Sequence, residues 1–135
     1  MMTPYWDSSA LIEAIQNLGV RKALRRSGGF TRPHTFAEVF STLTGGRLGF
    51  RCPANEASKI TGELASDLKT VELDGDETLA ALAAAHKHGV RGGQTHDFLH
   101  AVAAQKAGAG VLYTLNSGDF QSLQLPIGIE QPPGK

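Results

Sequence analysis

Apolar residues recur along this chain in two rhythms, and the alternation between them predicts its elements. Residues 3–6 are short and apolar-aromatic, and Asp7-Ser8-Ser9 then introduces the apolar run 10–15, which reads as strand, polar turn and helix. Gly19 is expected to break that helix, and residues 20–26 form a short basic helix closed by Gly28-Gly29. Residues 30–32 read as a brief second strand. Pro33-His34-Thr35 starts a helix over 36–44, where Phe36, Val39, Phe40 and Leu43 share one stripe and Glu38 lies off its centre. A loop over 47–52 leads to Pro53, which suits the first turn of a helix reaching residue 68.

The second half continues the alternation. Thr70-Val71-Glu72-Leu73 has the period of a strand, and residues 74–77 cap an alanine-rich helix over 78–87. A glycine-containing loop over 89–95 delivers the most organised stretch, THDFLHAVAAQKAGAGVLYTLNSGDF, residues 95–120. Thr95 and Asp97 open a helix whose Phe98, Leu99, Val102 and Ala103 recur at three- and four-residue steps, and residues 107–110 end it. Residues 111–114 form an apolar strand, Asn116 to Asp119 a polar turn at its carboxyl end, and residues 125–130 a last strand. Strands alternating with helices predict an α/β sandwich around a mostly parallel sheet. In such sheets ligands sit outside the strands' carboxyl ends, which makes Asp97, Asn116 and Asp119 neighbours.

Composition bounds the function. The 135 residues suit one domain, and 41% hydrophobic with 19% charged content excludes a disordered chain. The expected domain is 1–131, with a frayed tail over 132–135. No apolar run reaches membrane-span length, and the N-terminus lacks the regions of a signal peptide. A lone Cys52 forms no internal disulfide and fits a reducing compartment, so the cytoplasm is the expected location. Net charge is zero, but residues 1–52 carry seven Lys/Arg against three Asp/Glu, and residues 53–135 six against ten. Nucleic-acid binding therefore needs a local patch. Arg21, Lys22, Arg25 and Arg26 are the candidate face for RNA phosphates or an acidic partner segment, although a solvated helix face explains them equally.

Three acids share a setting. Asp7 follows a strand, Glu38 sits in the first turns of a helix, and Asp97 starts another. Beside parallel neighbouring strands they point into one crevice, where like charges raise one another's pKa unless something positive intervenes. Hard oxygen ligands of this kind suit Mg²⁺ or Mn²⁺. Singly, each acid also reads as a helix cap or a solvated residue. Other motifs fall short. His96 and His100 have the four-residue spacing of a zinc protease, but the Asp between them is too short as its base and no third ligand follows. Gly45-Gly46 and Gly92-Gly93 lack the Gly-Lys-Ser/Thr of a phosphate loop, and Ser8 and Ser9 lack a nucleophile elbow.

Tyr5-Trp6-Asp7-Ser8-Ser9-Ala10-Leu11, Pro33 to Phe40 and Gly92 to Phe120 together resemble the PIN domains, in particular the VapC-like toxins of toxin–antitoxin pairs. The resemblance implies a three-layer α/β/α fold with a mostly parallel central sheet, and an Mg²⁺- or Mn²⁺-dependent ribonuclease leaving 5′-phosphate and 3′-hydroxyl ends. By position it implies catalytic Asp7, Glu38, Asp97 and Asp119, and metal ligands Asp7, Asp97 and Asn116. Ser9 and Thr114 would orient carboxylates or water by hydrogen bonds. Where the family usually places a fourth Asp this chain has Asn116, which offers an oxygen but no charge, with Asp119 as the alternative. One ion or two stays open. The resemblance also implies a homodimer, a small antitoxin and an RNA substrate. The alternative is a catalytically weak PIN fold that binds RNA or protein.

Overall fold

β1 (Pro4–Trp6) is the middle strand, and the chain is laid out on both sides of it. The computed structural model describes residues 3–135, so the first two positions of the expected 1–131 domain lie outside the described residues. After β1 come α1 (Ser8–Gln16), α2 (Leu18–Ser27), β2 (Phe30–Thr31), α3 (Pro33–Gly45) and α4 (Ala54–Ala65). Then follow β3 (Lys69–Thr70), α5 (Gly75–Ala84), a 3-10 turn at Ala85–His88, α6 (Gln94–Ala107), β4 (Val111–Tyr113), α7 (Ser117–Gln121) and β5 (Gly128–Glu130). The sheet order is β3-β2-β1-β4-β5. Every strand pair is parallel.

Strand alternation sorts side chains into two layers. Trp6 points into a cluster with Leu11, Leu24, Val39, Leu43, Ala57 and Leu64, which seats α1 to α4 on one face. Tyr5 and Leu112 point the other way, against Ala101, Ala104 and Phe120 of α6 and α7. Successive strand residues face opposite sides, so three-residue strands suffice to hold both layers. The small residues of α6 let it lie close to the sheet. This is the three-layer α/β/α arrangement.

Several elements differ from the pattern-based expectation. Gly19 does not break a helix: Asn17 caps α2 by accepting from the Val20 N–H, and Gly19 lies inside the first turn. α6 begins at Gln94 behind Gly93, so Asp97 is a first-turn residue and not the helix cap. The expected strand at 70–73 pairs only at Lys69–Thr70, on the sheet edge, and Leu73 turns inward as a core residue. The polar turn after β4 winds into α7, and the last strand is shorter than 125–130. The expected cap at 74–77 is a reciprocal capping box, Glu77 N–H to Asp74 at 2.7 Å and Asp74 N–H to Glu77 at 3.0 Å.

The tail at 132–135, expected to fray, packs instead along α1 and α2. Pro132 is buried, Lys135 Nζ lies 3.5 Å from Glu13 Oε1, and a Cβ at Gly19 would collide with the carbonyl oxygen of Gly134. Alanine is otherwise favoured over glycine in a helix by roughly 0.5–1 kcal/mol. Gly19→Ala is therefore expected to lower the melting temperature of the full chain and to raise it once residues 132–135 are deleted. An equal effect in both backgrounds would refute the docked tail.

Candidate active site

Asp7 leaves β1 at its carboxyl end and is 3% exposed. Its carboxylate caps α1: Oδ1 accepts from the Ala10 N–H at 2.9 Å and from the Ser9 hydroxyl at 2.7 Å. The chain reverses its direction of growth across the sheet at this point. β2 and β3 extend one way from β1 and β4 and β5 the other, so the carboxyl ends of β1 and β4 flank the crevice that such a reversal leaves. The Asp7 N–H donates to Tyr113 O at 3.2 Å, which holds the two strand ends together.

Ser9 and Thr114 fasten that junction. Ser9 Oγ accepts from the Leu115 N–H at 2.9 Å and lies 3.2 Å from Thr114 Oγ1, which accepts from the Asn116 N–H at 3.0 Å. Thr114 is fully buried. Both hydroxyls expected to orient carboxylates thus sit between Asp7 and the β4 loop. Asn116 and Asp119 are exposed beyond it, and the Asn116 side chain caps nothing.

α6 runs back antiparallel to β4, so its first turn stands at the carboxyl edge and carries the half-buried Asp97 there. Burial pushes the Asp97 carboxyl up, and the charges of Asp7, Asp119 and Glu38 push it further, with His100 opposing them. Burial likewise pushes Asp7 up, against Thr114, the Ala10 N–H, His100 and Ser9. Asp97 therefore feels the charges of the other three expected acids. Among the described residues, no group of three His, Cys, Asp or Glu side chains is placed to hold a metal ion together.

Glu38 behaves differently. Burial alone would raise its pKa, but the His100 hydrogen bond and the His100, His34 and His96 imidazoles hold it below the usual carboxylate range. His100 Nε2 is 3.0 Å from Glu38 Oε1, and His100 Nδ1 is 2.7 Å from the Tyr5 hydroxyl. His96 turns aside, its ring near-parallel to His34 with centroids 6.3 Å apart. The two histidines of HDFLH therefore point to different partners. HDFLH falls short as a zinc site, and the sequence signal for another role is that His100 follows Asp97 by three residues and shares its helix face. A polar cleft of about 340 Å³ beside Glu38 is lined by Ser8, His34, Ser41, Thr42 and Arg47.

The basic face lies elsewhere. α2 joins the far end of α1 to the start of β2, away from the strands' carboxyl ends. Arg21 is bound to Asp67 at 2.6 Å, while Lys22, Arg25 and Arg26 are exposed.

A family model described as "PIN domain" matches residues 5–124, a span that holds all four acids. The chain belongs to the PIN domain family. No curated protein matches it in sequence. This PIN domain is similar in fold to VapBC-1 from nontypeable Haemophilus influenzae, with TM-score 0.67 and 16% identity over 96% of this chain and 98% of that one. It is also similar to PAE2754 from Pyrobaculum aerophilum, with TM-score 0.65 and 20% identity over 90% and 84% of the two chains. A third solved structure, FitAB bound to an IR36 DNA fragment, gives TM-score 0.61 and 16% identity over 96% and 95%. Among the described residues, no helix is long and apolar enough to cross a membrane.

The raised acids make a signed prediction. A carboxyl whose folded pKa is raised favours the fold when protonated and loses that contribution as pH rises through the folded value. Asp7 and Asp97 therefore oppose the metal-free fold at neutral pH. Glu38, held low, contributes stability above the ordinary carboxylate range, and that contribution is lost as pH falls through its lowered folded value. Asn at position 7 can still accept from Ala10 and Ser9 without carrying charge. Metal-free Asp7→Asn is expected to melt above wild type at pH 7, with the gap narrowing toward pH 5. A lower melting temperature at both pH values would show that the cap needs the charge.

Proposed function

We propose that this PIN domain is a metal-dependent endoribonuclease that hydrolyses RNA phosphodiester bonds as the toxin of a toxin–antitoxin pair. The observation that carries this reading is the burial of Asp7 and Asp97 at the carboxyl ends of β1 and β4, where the charges of Asp7, Asp119 and Glu38 push the Asp97 carboxyl up. Mg²⁺ fits that donor set. It is typically bound through one or two carboxylates, several waters and substrate phosphate oxygens, so a closed protein cage is not required. Asp7 and Asp97 are its proposed ligands, with Asn116 contributing a neutral oxygen; Mn²⁺ suits the same donors. When bound, such a cation supplies Lewis acidity at the scissile phosphodiester.

The chain's own groups have distinct roles in this reading. Ser9 and Thr114 keep the Asp7 carboxylate and the β4 loop in register. Glu38, ionised against His100, offers a carboxylate oxygen to take a proton from the attacking water, and Asp119 stands at the exposed rim. Water adds to phosphorus, the P–O3′ bond breaks, and the leaving oxygen takes up a proton, which yields 5′-phosphate and 3′-hydroxyl ends. Arg47 gives the adjoining cleft a positive charge for a neighbouring phosphate. Lys22, Arg25 and Arg26 are proposed for a more distant stretch of RNA or an acidic segment of the antitoxin.

The antitoxin is also supported by a groove of about 460 Å³ between α1, α2 and α4, where Leu18 is 68% exposed beside Ile15, Ile60 and Leu64. Exposed Leu79 and Leu82 on α5 are the proposed homodimer surface. With an antitoxin partner and RNA substrate, the cytoplasm is the proposed location. Asn116 favours a second reading, a PIN fold that binds RNA or protein and cuts weakly, because it places no charge at the fourth position.

Turnover separates the two. Purified, metal-stripped protein incubated with cellular RNA is expected to give discrete fragments on addition of Mg²⁺ or Mn²⁺. Asp97→Asn is expected to be slower by at least about a hundredfold, the scale of losing one preorganised electrostatic group. Intact RNA in every lane, with tight RNA binding, would favour the second reading.

A further inference from the structure

Tyr5, His100 and Glu38 form a hydrogen-bonded chain that crosses the molecule. Tyr5 is fully buried and His100 is 2% exposed, both within the layer built on α6, whereas Glu38 comes from α3 in the opposite layer. The link runs over the carboxyl edge of the sheet, beside Asp7. Tyr5 O–H can donate to His100 Nδ1 at 2.7 Å, which leaves Nε2–H to donate to Glu38 Oε1 at 3.0 Å. In this arrangement every donor points toward the carboxylate.

We propose that His100, locked in one tautomer by Tyr5, is the positioning residue that fixes Glu38 at the acidic crevice. The bond uses one carboxylate oxygen and leaves Oε2 available to the cleft, into which the side chain is 28% exposed. An unanchored Glu in this place would sample several rotamers, and its carboxylate would spend much of its time away from the scissile phosphate. The inference rests on the nuclease reading for its kinetic consequence, but its structural half stands by itself.

The test compares His100→Gln with His100→Leu and Tyr5→Phe. A glutamine amide retains a donor for Glu38 and an acceptor for Tyr5; leucine retains neither. His100→Leu is expected to lower kcat about 10–100-fold, the usual scale for a group that orients a ligand or base, with KM changed less than about threefold. His100→Gln should recover most of that loss, and Tyr5→Phe should fall between. Unchanged kcat in His100→Leu, or no recovery by a folded His100→Gln, would overturn the proposal.

Imidazole ¹⁵N NMR gives a readout free of activity. Wild type should show an unprotonated Nδ1 and a slowly exchanging Nε2–H, and Glu38→Ala should speed that proton's exchange. If RNA is never cut but these resonances behave so, the nuclease reading fails while the positioning geometry survives. The opposite tautomer in wild type overturns the positioning itself.

Discussion

Asp7 ends the central strand with its carboxylate inside the protein, and α1 is capped by that same carboxylate. Such a cap contributes about 1 kcal/mol to the helix it starts. The cost comes from keeping an ionised group out of water. Three hydrogen-bonding groups (the Ala10 N–H, Ser9 and Thr114) lower that cost without removing it, because burial still dominates. The local fold thus depends on a group that the same fold makes uncomfortable. A divalent cation is a physical partner that would relieve the repulsion while leaving the cap in place.

The remaining architecture follows from where that carboxylate sits. Placing β1 between β2 and β4 brings a loop from each half of the chain to its carboxyl end. One layer delivers Glu38 on α3 and the other delivers Asp97 on α6, and the His100 bond to Glu38 ties the two together. Asp97 gains from standing in the first turn of its helix, where the positive end of the dipole favours an anion. Each acid is therefore supported by a different device: a cap for Asp7, a helix terminus for Asp97, a histidine for Glu38.

The local parts of this arrangement were legible in the sequence. Asp7-Ser8-Ser9 before an apolar run is cap chemistry whatever the tertiary context, and the parallel α/β sandwich followed from alternating periods. Element starts that depend on backbone geometry were less so. α6 begins behind Gly93 because the N–H groups of Gln94, Thr95 and His96 bond to carbonyls three residues back, and no side chain announces this. Alternation at residues 70–73 predicted a longer strand than the edge pairing supports, since period two reports burial and not hydrogen-bond partners. The tail's docking turns on a backbone contact between Gly19 and Gly134, which composition reads as fraying. His100 was missed for a related reason: Tyr5 lies 95 residues away and Glu38 62 residues away in sequence. Arg21 likewise finds Asp67 across 46 residues, which reduces the apparent basic face on α2 to three exposed cations.

The central proposal is that the carboxylates at the end of β1 bind a divalent cation. Direct titration of Mn²⁺ into the metal-free protein at neutral pH, followed by the loss of its free EPR signal, tests this without any RNA. The account predicts saturable binding by wild type that is strongly weakened in Asp7→Asn and in Asp97→Asn. Equal Mn²⁺ binding by all three proteins, or none by any, would contradict it.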